Sequence, residues 1–128
     1  MTKDLDFDAV VIGAGLSGLY QAYRLREMGY NVLGVEGSDD IGGVWHHNRY
    51  PGARFDSESE VYGYFWNEQL MQEWNWSERF AAQPEVLEYI HRAAEIMDIR
   101  KDYIFNARVN KAVFDDENDS WTLEYEQQ

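Results

Sequence analysis

The chain has no cysteine, which removes disulfides and thiolate metal sites from consideration. Its two prolines, Pro51 and Pro84, are too few for a proline-rich linker or a biased tract. Positive charge is scarce as well: 11 Lys and Arg stand against 24 Asp and Glu, for a formal net charge of −13. That field repels nucleic acid and anionic membrane, so neither is an expected partner. No apolar run has the length a bilayer requires; Ala9–Tyr20 is too short and three glycines interrupt it. Asp4, Asp6 and Asp8 precede it, where a secretory signal would carry basic residues. A cysteine-free chain is compatible with a reducing cytoplasm, the expected location.

What is present supports a folded core. Hydrophobic residues make up 45% of the 128 positions, with five Trp and nine Tyr, enough for one domain over residues 1–128. The most informative stretch opens with Phe7–Ile12, a short continuous apolar run of the kind buried in a parallel sheet. Gly13-Ala14-Gly15-Leu16-Ser17-Gly18 follows and leads into helical spacing over Leu16–Met28, which Gly29 ends. A second apolar run, Asn31–Glu36, finishes on an acid.

A lone G-x-G-x-x-G is weak evidence, but strand, glycine turn, helix, strand and acid in this order are the context that gives it meaning. Gly13 permits the tight turn, Gly15 lets backbone approach a pyrophosphate, and Gly18 lets helix and strand pack closely. The first-turn amides and the positive end of the helix dipole then face phosphate oxygens. The Glu36 carboxylate can accept from ribose 2′- and 3′-hydroxyls but repels a 2′-phosphate. The site therefore suits the ADP half of FAD or NAD. In a chain this acidic, local amide dipoles and a few placed arginines must hold such an anion.

From Gly37 to about Asn67 periodicity stops, and a long irregular segment inside a compact domain is usually functional. Glu68–Trp76 reads as a short helix, with Trp74 and Trp76 as packing residues. Val86, Leu87, Ile90, Ala93, Ala94 and Met97 recur at helical spacing and predict an amphipathic helix over Pro84–Met97. Ile104–Val109 reads as a third strand, and Lys111–Asp115 with Trp121–Glu126 as an antiparallel hairpin. His46 and His47, read as neighbours on extended chain, point opposite ways and lack a third ligand, so no metal is expected.

The segment Gly42-Gly43-Val44-Trp45, then Asn48-Arg49-Tyr50-Pro51-Gly52-Ala53-Arg54-Phe55-Asp56-Ser57-Glu58-Ser59, resembles the N-terminal FAD-binding portion of Baeyer–Villiger monooxygenases. Gln72 to Phe80 and Gln83-Pro84-Glu85 continue the likeness, which covers essentially the whole chain. The resemblance implies an NADPH- and O2-dependent flavoprotein that converts ketones to esters or lactones through a C4a-peroxyflavin. It implies that Gly13, Gly15, Ser17 and Gly18 lie along the FAD pyrophosphate and that Glu36 holds the adenosine ribose. Gly43, Val44, Trp45 and His46 would run past the ribityl chain and flavin, and Val109 would meet the adenine through its backbone. Asp56 and Tyr62 would lie near the isoalloxazine, with Asp56 catalytic through an arginine from later in the family's chain. Arg54 and Asp56 would border the NADP nicotinamide.

The expected fold is thus α/β, a Rossmann-like FAD-binding fold of parallel sheet, crossover helix and antiparallel hairpin, incomplete in this chain. A doubly wound fold needs a further strand beside Phe7–Ile12, on the side away from the second strand. Without it that edge is apolar and unpaired. The chain is therefore expected to be a fragment or partial subunit, with the remainder of the same enzyme or a complementing chain as its partner. The family's NADP-binding domain, second glycine motif and active-site arginine have no counterpart here, so the chain alone is expected to be inactive. Two rival readings stay open: a related flavin monooxygenase oxidising nitrogen or sulfur, and a non-catalytic nucleotide-binding module or remnant.

Overall fold

A computed structural model of the protein describes residues 4–128. Strand β1 (Ala9–Ile12) runs into the glycine turn and helix α1 (Leu16–Glu27), which returns the chain to strand β2 (Val32–Val35). The two strands pair in parallel, Ala9 opposite Val32 and Ile12 opposite Val35, so the crossover is a βαβ unit. Gly29, at φ +92°, ends the helix where sequence spacing places its end. The long connection then contains one helical turn, α2 (Val44–His47), and a short helix, α3 (Glu68–Glu73). Asn67 caps α3 by accepting from the Leu70 amide at 2.8 Å, and the helix ends at Glu73, three residues short of the expected end at Trp76. Helix α4 (Gln83–Met97) follows, with Pro84 in its first turn.

The expected third strand is two separate pieces. Tyr103–Ile104 is strand β3 and pairs in parallel with β2 at Gly34 and Val35, giving the order β1-β2-β3. Asn106 then adopts φ +53°, a left-handed conformation that Asn tolerates, and turns the chain out of the sheet. Ala107–Asp115, β4, belongs instead to a long hairpin with β5 (Ser120–Gln127). A register shift between Val109 and Lys111 twists that hairpin. Among the described residues β1 pairs with β2 alone, and Ile12 at its end is 59% exposed. The open apolar edge expected from the sequence is present.

One core joins the layers. Leu19 and Ala22 of α1, Ile41, Leu70, and Val86, Ile90, Ala93 and Met97 of α4 are all buried. Burying each large aliphatic side chain contributes about 1.5–3 kcal/mol. Arg26 of α1 reaches the C-terminal end of α4: its guanidinium donates to the carbonyls of Met97 and Asp98 and pairs with Asp102 at 2.5 Å. A cation at that end satisfies orphan carbonyls and opposes the negative pole of the helix.

Gly34 is a packing glycine. A Cβ there would fall under 3.0 Å from three atoms of the Tyr103 ring, closer than real Cβ contacts come. Gly34→Ala is expected to destabilise the fold by about 1–3 kcal/mol, the usual cost of overpacking, read as a lower denaturant midpoint at unchanged m-value.

Candidate functional site

The turn between β1 and α1 takes its shape from its glycines. Gly13 sits at φ +104°, and its N–H donates to the Val35 carbonyl at 2.8 Å, stitching the turn to β2. A Cβ on Gly18 would fall under 3.0 Å from the Gly13 carbonyl, so only glycine lets α1 begin this close to β1. Gly43, at φ +58°, packs its backbone on the turn: a Cβ there would stand 3.0 Å from the Gly15 Cα. The Gly42 N–H donates to the Ala14 carbonyl at 2.9 Å. Gly42-Gly43 thus packs in direct backbone contact on the turn at Gly15.

Helix α1 starts at Gly15 with no side chain capping it and no acid in its first turn. Its leading N–H groups point outward as donors, with the positive end of the helix dipole behind them. This bare N-terminus, opening from a glycine turn with no side chains at positions 13, 15 and 18, fits the diphosphate of a dinucleotide. Ser17 is exposed in that first turn and shares a shallow cavity of about 310 Å³ with Leu16, Tyr20 and Tyr62–Tyr64. Two residues expected at one cofactor, Ser17 and Tyr62, are therefore brought together from 45 positions apart.

Glu36 follows β2 directly and is buried, 8% exposed. One carboxylate oxygen accepts from the Ala14 N–H at 2.6 Å and the other from the Ser38 N–H at 2.8 Å. These charge-assisted bonds aim the carboxylate at the turn. A contact to the turn's own backbone is a role that sequence reasoning missed.

Trp45 and Tyr62 also meet. The Trp45 indole N–H donates to the Tyr62 hydroxyl at 2.9 Å, and Phe55 packs against both rings, 5.2 Å from Trp45 and 4.1 Å from Tyr62. Gln83, buried at the start of α4, donates its side-chain amide to the Trp45 carbonyl at 2.5 Å. The sequence held a signal for it, since Gln83-Pro84-Glu85 belongs to the family likeness. Trp74 and Trp76 pack around Tyr89, as expected, at 5.3 and 5.0 Å.

Arg54 and Asp56 lie on an extended segment whose alternate residues, Ala53 and Phe55, are buried, so the two charges share the outer face. Arg54 donates to Glu78 at 3.0 Å and to the Phe80 carbonyl at 3.1 Å. Asp56 is exposed. Val109 lines a cavity of about 640 Å³ between the hairpin and the sheet, with Val10, Leu33, Val35 and Leu123.

His46 and His47 are not on extended chain. They occupy the single turn α2, their rings 5.2 Å apart, because Gly42-Gly43 reverses the chain into a helical turn. His46 meets Asp39 at 2.9 Å and His47 meets Ser38 at 2.7 Å, and Val44 is exposed. Among the described residues no three His, Cys, Asp or Glu side chains cluster to hold a metal, and no helix is long and apolar enough to cross a membrane.

Parallel sheet, βαβ crossover and bare helix N-terminus make a Rossmann-like fold, and the model of the NAD(P)-binding Rossmann-like domain family matches residues 11–72. The chain's likeness is to Baeyer–Villiger monooxygenases. It is 52% identical over 121 residues to the 2-oxo-Δ3-4,5,5-trimethylcyclopentenylacetyl-CoA monooxygenase of Pseudomonas putida, covering 94% of this chain and 22% of that protein. It is 48% identical over 116 residues to the cyclopentanone 1,2-monooxygenase of a Comamonas species, covering 91% of this chain and 21% of that protein. The crystal structure of OTEMO in complex with FAD and NADP superposes with a TM-score of 0.92 at 48% identity, over 98% of this chain and 24% of that one. The chain thus spans about a fifth of the length of the curated relatives it matches.

Proposed function

We propose that residues 1–128 form the FAD-binding part of an NADPH- and O2-dependent monooxygenase that converts a ketone to an ester or lactone. The observation carrying this reading is the glycine turn at the uncapped start of α1, braced from behind by Gly43 and with the Glu36 carboxylate beside it. Its amides would receive the diphosphate. Glu36 would accept from the adenosine ribose with the lone pairs its two amide partners leave free. Trp45 and Tyr62, joined by their hydrogen bond, would flank the path toward the flavin, and Val109 the path toward the adenine. When bound, FAD would take a hydride from NADPH and activate oxygen for attack on the ketone carbonyl.

Asp56 and Arg54 are proposed to face the reacting end. The Asp56 carboxylate would orient an arginine of the same enzyme through bidentate hydrogen bonds, holding a positive charge where negative charge develops. The remainder of that enzyme, or a complementing chain, would close the open edge of β1. A cytoplasmic setting belongs to the same proposal, supported by a composition with no disulfide to maintain.

The test uses the enzyme that carries this chain. It should purify yellow and consume NADPH in a ketone-dependent way, with ester or lactone as product. Consumption yielding only hydrogen peroxide would overturn the substrate class. In the same enzyme Asp56→Ala is expected to leave FAD retention unchanged and slow oxygenation by about 10²-fold, the scale for losing one placed electrostatic stabiliser. Wild-type turnover would remove Asp56 from the mechanism.

A further inference from the structure

A glycine turn has a weakness: the residues that let it approach a phosphate also let its peptides flip, because Gly populates both signs of φ at little cost. Gly13 at φ +104° is such a position. The peptide unit that follows it is nevertheless held at both ends. Its carbonyl, that of Gly13, accepts from the Tyr103 hydroxyl at 3.0 Å. Its N–H, that of Ala14, donates to the Glu36 carboxylate at 2.6 Å. In a trans peptide these two groups point opposite ways, so the two side chains grip the unit from opposite sides.

We propose that Tyr103 and Glu36 are positioning residues that clamp the Gly13–Ala14 peptide and set the glycine turn in its nucleotide-receiving shape before any nucleotide arrives. This rests on the reading of the turn as a dinucleotide site. Tyr103 comes from β3, 90 residues from Gly13, and its ring is seated against Gly34, where a side chain would displace it. Burial first, and then the Glu36 charge, hold its phenol above the ordinary range, so the hydroxyl remains a donor through neutral pH. The neighbouring groups are also engaged: the Gly13 N–H donates to the Val35 carbonyl, and the Ala14 carbonyl accepts from the Gly42 N–H.

The clamp has a consequence for recognition. The Ala14 N–H is committed to a carboxylate, so phosphate binding falls to Gly15 and the first turn of α1. Pre-setting the turn also removes an ordering cost from binding.

The experiment compares the full-length protein with its Tyr103→Phe variant, both stripped of cofactor. Phenylalanine keeps the ring against Gly34 and removes only the hydroxyl. Amide hydrogen exchange of residues 9–18 is followed by mass spectrometry, and ADP, then FAD, is titrated by calorimetry. The expected result is exchange at residues 13–15 faster by about five- to tenfold, as one net hydrogen bond allows, and affinity weaker by a similar factor. The thermal midpoint should fall by at most about 4 °C, and exchange in α4 should accelerate less than in the turn. Unchanged exchange in the turn would overturn the clamp, as would equal acceleration in α4, which marks a general packing role. If the unmutated protein bound neither ADP nor FAD, the nucleotide reading would fall, while the exchange comparison would still decide the clamp.

Discussion

Gly18→Ala is expected to abolish FAD retention and to destabilise the fold by about 3 kcal/mol, the upper range for an overpacked site. The added methyl would fall under 3.0 Å from the Gly13 carbonyl, and that neighbour is backbone, which no rotamer change can move aside. Either α1 shifts away from β1 or the turn reshapes, and both displace the leading α1 amides. The loss should appear as colourless protein after purification and as a fall in thermal midpoint. Gly13→Ala is a useful contrast, because a Cβ there meets nothing within 4 Å and its strain comes from φ +104° alone. That variant should lose less stability, about 1–2 kcal/mol for a left-handed non-glycine residue.

Glu36→Arg is expected to have the second largest effect, a loss of FAD affinity of at least about 10²-fold. The substitution removes the acceptor from two amides, Ala14 and Ser38, and places a buried cation near the positive pole of α1. Stranding buried donors costs about 1–3 kcal/mol each, and an unpaired buried charge costs more. Glu36→Gln separates the contributions. It keeps the volume and one oxygen acceptor but turns an NH2 donor on the second amide, so it should lose about 1–3 kcal/mol of stability and only part of the affinity. Flavin fluorescence titration gives the affinities, and denaturant melts give the stabilities. If Glu36→Arg retained FAD as well as Glu36→Gln, the carboxylate would have no place in binding.

The opening βαβ unit is legible from the sequence because each of its parts has a local cause. The apolar run over Val10–Ile12, the helical spacing after Leu16 and the glycine at position 29 act within a few residues of one another. Helix α4 is legible for the same reason, since Val86, Ile90, Ala93 and Met97 recur at one helical face. The third strand is not, because nothing local marks where Tyr103–Ile104 leaves the sheet. That break depends on Asn106 accepting a left-handed conformation, which Asn does in some contexts only. The single turn at Val44–His47 is likewise set by the docking of Gly43 on Gly15, a contact across 28 positions.

For the candidate site, residue types were readable and their partners were not. The spacing of Gly13, Gly15, Gly18 and Glu36 carries the nucleotide signature. Which atoms Glu36 touches is decided by tertiary register, and so is the arrival of Tyr103 beneath the turn. Tyr103 belongs to no motif and lies on a two-residue strand, so no periodicity could single it out. Trp45 and Tyr62 meet because Phe55 packs between segments that share no pattern.

The most direct measurement is crystallographic: the protein carrying this chain, grown or soaked with FAD. Diphosphate density should lie over the glycine turn, within hydrogen-bond reach of the leading α1 amides, with the ribose hydroxyls on Glu36. Flavin bound elsewhere, or the start of α1 covered by a side chain in the presence of saturating FAD, would contradict the assignment.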